Sequence, residues 1–239
     1  MNSEPTDPGA LQAMDSTAGY ADAAEALVEQ YESVSFAEVH REVLHLFPTR
    51  PAAVLDIGAG SGRDAAALAA AGHRVTAVEP TAELRELARA RHARHAVDWV
   101  DDALPQLPEL TARADRYELI LLTAVWMHLD AEQRAAAMAT LARLLADGGR
   151  IVLSLRHGPV PPGRRMFPVG APETVALARA NGLAPLHLAH REDPHARAGV
   201  SWTYLALHAA AAGAADGPSA SVPGARDGKG VAGDGVGRS

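Results

Sequence analysis

The sequence predicts a doubly wound α/β fold, with helices on both faces of a mostly parallel sheet. Three observations carry that expectation. Short apolar runs recur at 52–57, 73–79, 96–100, 117–124 and 150–155, and stretches of helical composition separate them. Runs of that kind suit strands buried on both faces, which calls for parallel pairing under helices. The first run ends directly in a glycine-rich turn, Gly58-Ala59-Gly60-Ser61-Gly62, ahead of a helical stretch from Asp64 to Ala71. A strand, a tight glycine turn and a helix N-terminus in succession bring the backbone close to a ligand, an arrangement suited to nucleotides.

The elements follow in order. Residues 1–18 carry Pro, Ser, Thr, Asp and Gly without apolar periodicity and are expected to be disordered. Residues 20–47 read as two helices, one with Ala24, Leu27, Val28 and Tyr31 on a face, the other with Phe36, Val39, Val43, Leu44 and Phe47. Ser35 followed by Glu38 is a capping box, and Pro48 stops the second helix. Residues 19–50 are thus expected as a helical cap on a domain spanning 51–208. Asp130 reads as the N-cap of a helix over 131–146 that keeps Met138, Leu141 and Leu145 together. A last helix at 172–181 has Pro172 in its first turn and Gly182 just past its end. Strands near 183–190 and 200–208 follow, and the Ala/Gly-rich stretch 209–239 reads as a disordered tail.

Composition removes several function classes. The 239 residues are 48% hydrophobic, enough for a substantial core. Cysteine is absent, so there is no disulfide, thiolate metal site or cysteine nucleophile, and no His/Asp/Glu spacing suggests a metal. A net charge of −7 opposes binding by phosphate neutralisation, so no nucleic-acid partner is expected. No segment approaches the ~20 apolar residues of a membrane span. Glu4 and Asp7 stand where a secretory signal would be basic, and a cytoplasmic location is expected. Nothing in the sequence fixes an oligomeric state.

The motifs narrow the nucleotide. From Asp56 the chain reads D-x-G-x-G-x-G, not the G-x-G-x-x-G of dinucleotide sites. The second strand, Val75 to Val78, ends at Glu79-Pro80, where a carboxylate can accept both hydrogen bonds of a ribose diol. Then come Asp101-Asp102-Ala103-Leu104-Pro105, the apolar strand Tyr117 to Val125, and Leu144-Leu145-Ala146-Asp147-Gly148-Gly149-Arg150. In this order the five segments resemble the class I S-adenosylmethionine-dependent methyltransferases across residues 52–155. Two departures stand out: the Asp-Ala…Leu-Pro spacing is shortened, and Asp147 stands where proline is commoner.

The resemblance implies a Rossmann-like seven-stranded sheet whose last strand is antiparallel, and S-adenosylmethionine as cofactor. It implies that Gly58 and Gly60, with Gly62 completing the turn, pass under the methionine part and ribose, that Glu79 takes the ribose hydroxyls, and that Asp102 and the Ala103 N–H hold the adenine. Thr123, with Ala124, would face the sulfonium. Asp56 either touches the cofactor or holds the glycine loop. Arg63 either reaches the cofactor carboxylate or is solvated at the helix start. Asp101 competes with Asp102 for the inward position.

The reaction implied is in-line methyl transfer to an oxygen or nitrogen of a small molecule. His128, with a near-neutral pKa, is either the general base or a packing and capping residue. Trp126 follows the same strand and is a substrate candidate. Arg156, His157 and Arg165 form a basic group near the expected mouth, suited to an anionic acceptor or simply solvated. Tyr20 and Tyr31 are candidates for a lid, or for packing. An RNA or protein acceptor is the alternative within the enzyme class; a non-catalytic partner subunit is the alternative outside it.

Overall fold

The structure is a computed structural model and describes residues 19–209. Its strands are β1 (Ala53–Ile57), β2 (Arg74–Val78), β3 (Val97–Val100), β4 (Tyr117–Leu122), β5 (Leu145–His157), β6 (Leu183–Glu192) and β7 (Ser201–Ala209). They form one seven-stranded sheet in the order β3-β2-β1-β4-β5-β7-β6. The five strands from β1 to β5 pair in parallel, while β7 runs antiparallel between β5 and β6. The predicted Rossmann-like, mostly parallel sheet is therefore the one observed.

The helices are α1 (Ala24–Glu32), α2 (Phe36–Val39), α3 (Arg63–Ala70), α4 (Ala82–Arg91), α5 (Pro108–Ala112), α6 (Ala131–Leu144) and α7 (Ala171–Ala180). Leu55, Leu119, Ile120 and Leu121 of the central strands are fully buried. Each such side chain contributes roughly 1.5–3 kcal/mol relative to its exposed state. Chain order reverses at β1, which lies between β2 and β4. Crossovers leave β1 in opposite directions there, and a crevice opens beyond the strands' carboxyl ends.

Local signals act largely as read. Asp130 caps α6: its carboxylate accepts from the Gln133 N–H, and the Gln133 amide oxygen accepts from the Asp130 N–H. At α7, Pro172 sits in the first turn and Gly182 follows the helix with φ 73°. Two boundaries differ. The second cap helix ends at Val39 and gives way to a turn and a 3-10 turn at Leu44–Leu46. His40 leaves the helical region (φ −97°, ψ 10°) and its imidazole is buried against a carboxylate of α3, an attraction the apolar spacing does not encode. Glu38 contributes only its N–H to Ser35; its carboxylate pairs with Arg191 instead. Strand β5 begins at Leu145 rather than Arg150, with a register shift against β4 and Gly148 at φ 71°. The segments read as disordered, 1–18 and all but Ala209 of 209–239, lie outside the described residues.

Candidate active site

A cleft enclosing about 1520 Å³, open solvent at its mouth included, lies over the carboxyl ends of β1, β2 and β4. The glycine turn forms its floor. Gly58 has φ 69°, and a Cβ there would stand 2.5 Å from the Val125 Cγ2, so only glycine lets the β1 and β4 loops meet. Gly60 donates its N–H to Glu79 Oε2 at 2.9 Å. Gly62 does not line the cleft: it starts α3 at φ 80°, and a Cβ would strike the Trp99 ring at 2.8 Å. Its role is to let helix and sheet approach.

Acidic groups line one wall. Asp56, at the end of β1, is 1% exposed, and its Oδ2 has no hydrogen-bond partner. Burial, and then the nearby Asp64 carboxylate, push its carboxyl well above the ordinary range. Glu79 accepts from Gly60 and, through Oε1, from the Thr81 N–H at 2.8 Å. Its burial raises its carboxyl, and those two N–H groups act in the opposite direction. The choice between the paired aspartates is made by Arg85, which ties Glu79 O at 2.6 Å and draws Asp101 outward at 2.7 Å. Asp102 turns into the cleft wall, 6% exposed. Its carboxylate accepts from the N–H groups of Ala103 (2.9 Å) and Leu110 (3.1 Å). The Ala103 N–H is thereby already engaged.

Beneath the glycine turn lies a network the sequence reading passed over. Asp64, in the first turn of α3, meets His40 Nε2 at 2.7 Å, Arg63 Nε at 2.8 Å and the Thr123 hydroxyl at 2.9 Å. These cationic and polar partners hold its carboxyl far below the usual range despite burial. Arg63 also donates through Nη1 to the Tyr31 carbonyl at 2.9 Å, fixing the cap to the turn. Arg63 and Thr123 still line the cleft, though Thr123 presents a hydroxyl already committed to Asp64. The only sequence signal was an acidic residue at a helix start, which any solvated helix shows. Next to Thr123, Ala124 takes φ 60° and donates its N–H to Ser154 Oγ at 2.8 Å. A left-handed alanine at the tip of β4 is local strain held at the cleft.

The far side comes from the cap and from β5 and β7. Tyr20 and Tyr31 line it. The Tyr20 hydroxyl stands 2.9 Å from His128 Nε2, while His128 Nδ1 lies 3.0 Å from the Arg165 carbonyl. A carbonyl only accepts, so Nδ1 carries the hydrogen and the neutral ring offers Nε2 to the tyrosine. Burial keeps His128 below the ordinary histidine value, with the Arg165 carbonyl acting in the opposite direction. Arg164 stacks 3.8 Å above the Tyr20 ring.

Three expected substrate residues are not on this cleft. Trp126 is fully buried in the core. The Arg165 guanidinium turns to Asp130 (3.7 Å) and the Phe167 ring (4.8 Å). His157 bonds the Thr203 hydroxyl at 2.8 Å and borders a smaller cavity of about 530 Å³. Arg156 borders both cavities. Trp202 and Tyr204 of β7 complete the wall; period-two alternation in the last strand was the one signal for them. Among the described residues no cluster of His, Cys, Asp or Glu could hold a metal ion, and no helix is long and apolar enough to cross a membrane.

A parallel sheet with its crevice at the β1 switch point, a glycine turn and an acidic wall define a Rossmann-like cofactor-binding domain. Residues 54–149 match the protein family described as "Methyltransferase domain". No curated protein matches the chain. Solved structures share the fold. A 1,6-didemethyltoxoflavin-N1-methyltransferase from Burkholderia thailandensis is 22% identical, with TM-score 0.63, over 88% of this chain and 94% of that one. A TehB-like S-adenosylmethionine-dependent methyltransferase from Corynebacterium glutamicum is 20% identical, with TM-score 0.59, over 79% and 98%. A magnesium protoporphyrin IX methyltransferase from Synechocystis is 17% identical, with TM-score 0.57, over 84% and 91%. Residues 54–149 thus form a methyltransferase domain, and S-adenosylmethionine is the cofactor such a domain uses.

Proposed function

We propose that this protein methylates an oxygen or nitrogen of a small molecule within the cleft. The observation that carries the reading is the orphaned Asp56 Oδ2, buried in the cleft wall beside Glu79. A buried carboxyl oxygen without a hydrogen-bond partner is a costly feature that a ligand cation would relieve, and the amino group of S-adenosylmethionine is such a cation. The residues present therefore fit the cofactor.

Bound there, S-adenosylmethionine supplies a methyl group already activated by the sulfonium charge. Asp56 would take the ammonium, and Arg63, with Nε and Nη1 already bonded, would meet the carboxylate. Gly58 and Gly60 lie along the methionine part and ribose. Glu79 would offer its remaining lone pairs to the ribose hydroxyls, and Asp102 with Ala103 would flank the adenine. Thr123 and Ala124 border the reacting end. Tyr20 and Tyr31 exclude water there. The Tyr20 oxygen would take the proton of the nucleophile as Tyr20 passes its own to His128 Nε2, while the cleft holds the acceptor against the reacting end.

The test is the fate of labelled methyl when the protein and labelled S-adenosylmethionine are added to a cell extract. Label in the low-molecular-weight fraction is the expected result. Label confined to RNA or protein would overturn the small-molecule acceptor, and no transfer at all would favour a partner subunit.

A further inference from the structure

We infer that the acceptor is a planar aromatic acid whose anionic group docks on Arg156. The inference deepens the methyltransferase reading and rests on it for the position of the reacting methyl. Arg156 is 8% exposed, its Nε–H has no hydrogen-bond partner, and among the described residues no carboxylate pairs with it. Asp193 acts on Arg156 only at a distance, and a guanidinium set in the wall without a direct carboxylate partner is completed by an anion. Its neighbours are already matched: Arg197 holds both oxygens of Asp193 at 2.6 and 2.8 Å, and Arg164 lies on the Tyr20 ring. The fork of Arg156 is the cationic group left facing the cavities, and a planar fork fits a carboxylate edge-on.

Strand geometry sets where that anion sits. Ser154 and Arg156 alternate onto one face of β5, with Tyr204 and Trp202 as their direct partners on β7. Ser154 holds the loop at the tip of β4, and the Arg156 backbone lies two residues, about 7 Å, farther along the strand. A ligand reaching from Thr123 and Ala124 to Arg156 passes Tyr20, Trp202 and Tyr204, whose rings favour a flat apolar body. A ring of benzenoid size with an acid on one edge and its nucleophile on another meets these surfaces together.

The test compares benzoate, salicylate and cinnamate with their primary amides, titrated calorimetrically into the protein with and without saturating S-adenosylhomocysteine. At least one acid should bind about 10- to 100-fold more tightly than its amide, the contribution of a charge-assisted hydrogen bond. In Arg156→Met that preference should vanish while affinity for S-adenosylhomocysteine is unchanged. Thermal unfolding of the ligand-free variant provides a second readout: removing a charge that has no direct carboxylate partner should leave Tm equal or higher. Acids that bind no better than amides, or a preference that survives in Arg156→Met, would overturn the inference. So would a marked fall in Tm, which would assign Arg156 to the scaffold. Failure of S-adenosylhomocysteine to bind strikes the methyltransferase reading instead, and the acid–amide comparison without it still reads Arg156.

Discussion

Replacing Asp64 by Ala should both destabilise the protein and loosen the cofactor cleft. The carboxylate is buried and joins three elements: His40 from the cap, Arg63 from α3 and Thr123 from the end of β4. Removing it leaves the guanidinium and imidazole buried without their acceptor. Breaking a buried pair in this way costs about 3–5 kcal/mol, and the Thr123 bond adds about 1 kcal/mol. At roughly 2–4 °C per kcal/mol for a chain of this size, Tm should fall by about 8–24 °C. The contribution has a pH signature. Because the folded carboxyl lies far below its unfolded value, the stabilisation is complete above about pH 4 and fades as pH falls toward the folded value. Wild type should therefore lose stability in acid more steeply than Asp64→Ala. The assay is thermal unfolding by near-ultraviolet circular dichroism between neutral pH and pH 3, with His40→Phe and the double variant alongside. Since both residues act through one network, the two losses should not add. A shift under about 2 °C, or strict additivity, would refute the network.

Other consequences are as direct. Gly58→Ala combines a left-handed alanine with a 2.5 Å contact to Val125, and should cost about 2–5 kcal/mol and weaken S-adenosylhomocysteine binding, measured by denaturant unfolding and calorimetry. With an acceptor in hand, the acid limb of kcat/KM should fall below the ordinary histidine value of about 6.5, because burial favours neutral His128. His128→Asn should lower kcat by about 10²–10⁴-fold and remove that limb. Asp56 should stay protonated above the usual carboxylate range, so ligand-free stability falls as pH rises from about 4 toward its folded value. Binding of the ligand ammonium should release that proton, seen as a buffer-dependent heat that Asp56→Asn abolishes.

The sheet was legible because its strands carry their own signal. Apolar runs such as Val54–Ile57 and Leu119–Leu122 can only be satisfied between two covered faces, and β1 and β4 form where those runs stand. The glycine turn was equally legible, since backbone at positive φ beside another loop leaves few residue choices. Single side chains whose roles depend on distant partners were not. Asp64 and His40 meet across the cap, Trp126 turned into the core, and Arg165 was drawn off by Asp130 and Phe167. The Asp101–Asp102 choice likewise depended on Arg85, whose reach appears only once α4 packs beside β3. Periodicity fixes which face a residue takes; it does not say which charge across the fold will claim it.

The most direct test of the central claim is calorimetric titration of the wild-type protein and Glu79→Gln with S-adenosylhomocysteine, NADH serving as control. Wild type should bind S-adenosylhomocysteine and not NADH. Glu79→Gln replaces an acceptor of the Gly60 and Thr81 N–H groups with an amide that matches only one of them, and should bind at least about tenfold more weakly. A folded wild-type protein that ignores S-adenosylhomocysteine, or binds NADH in its place, would contradict the account.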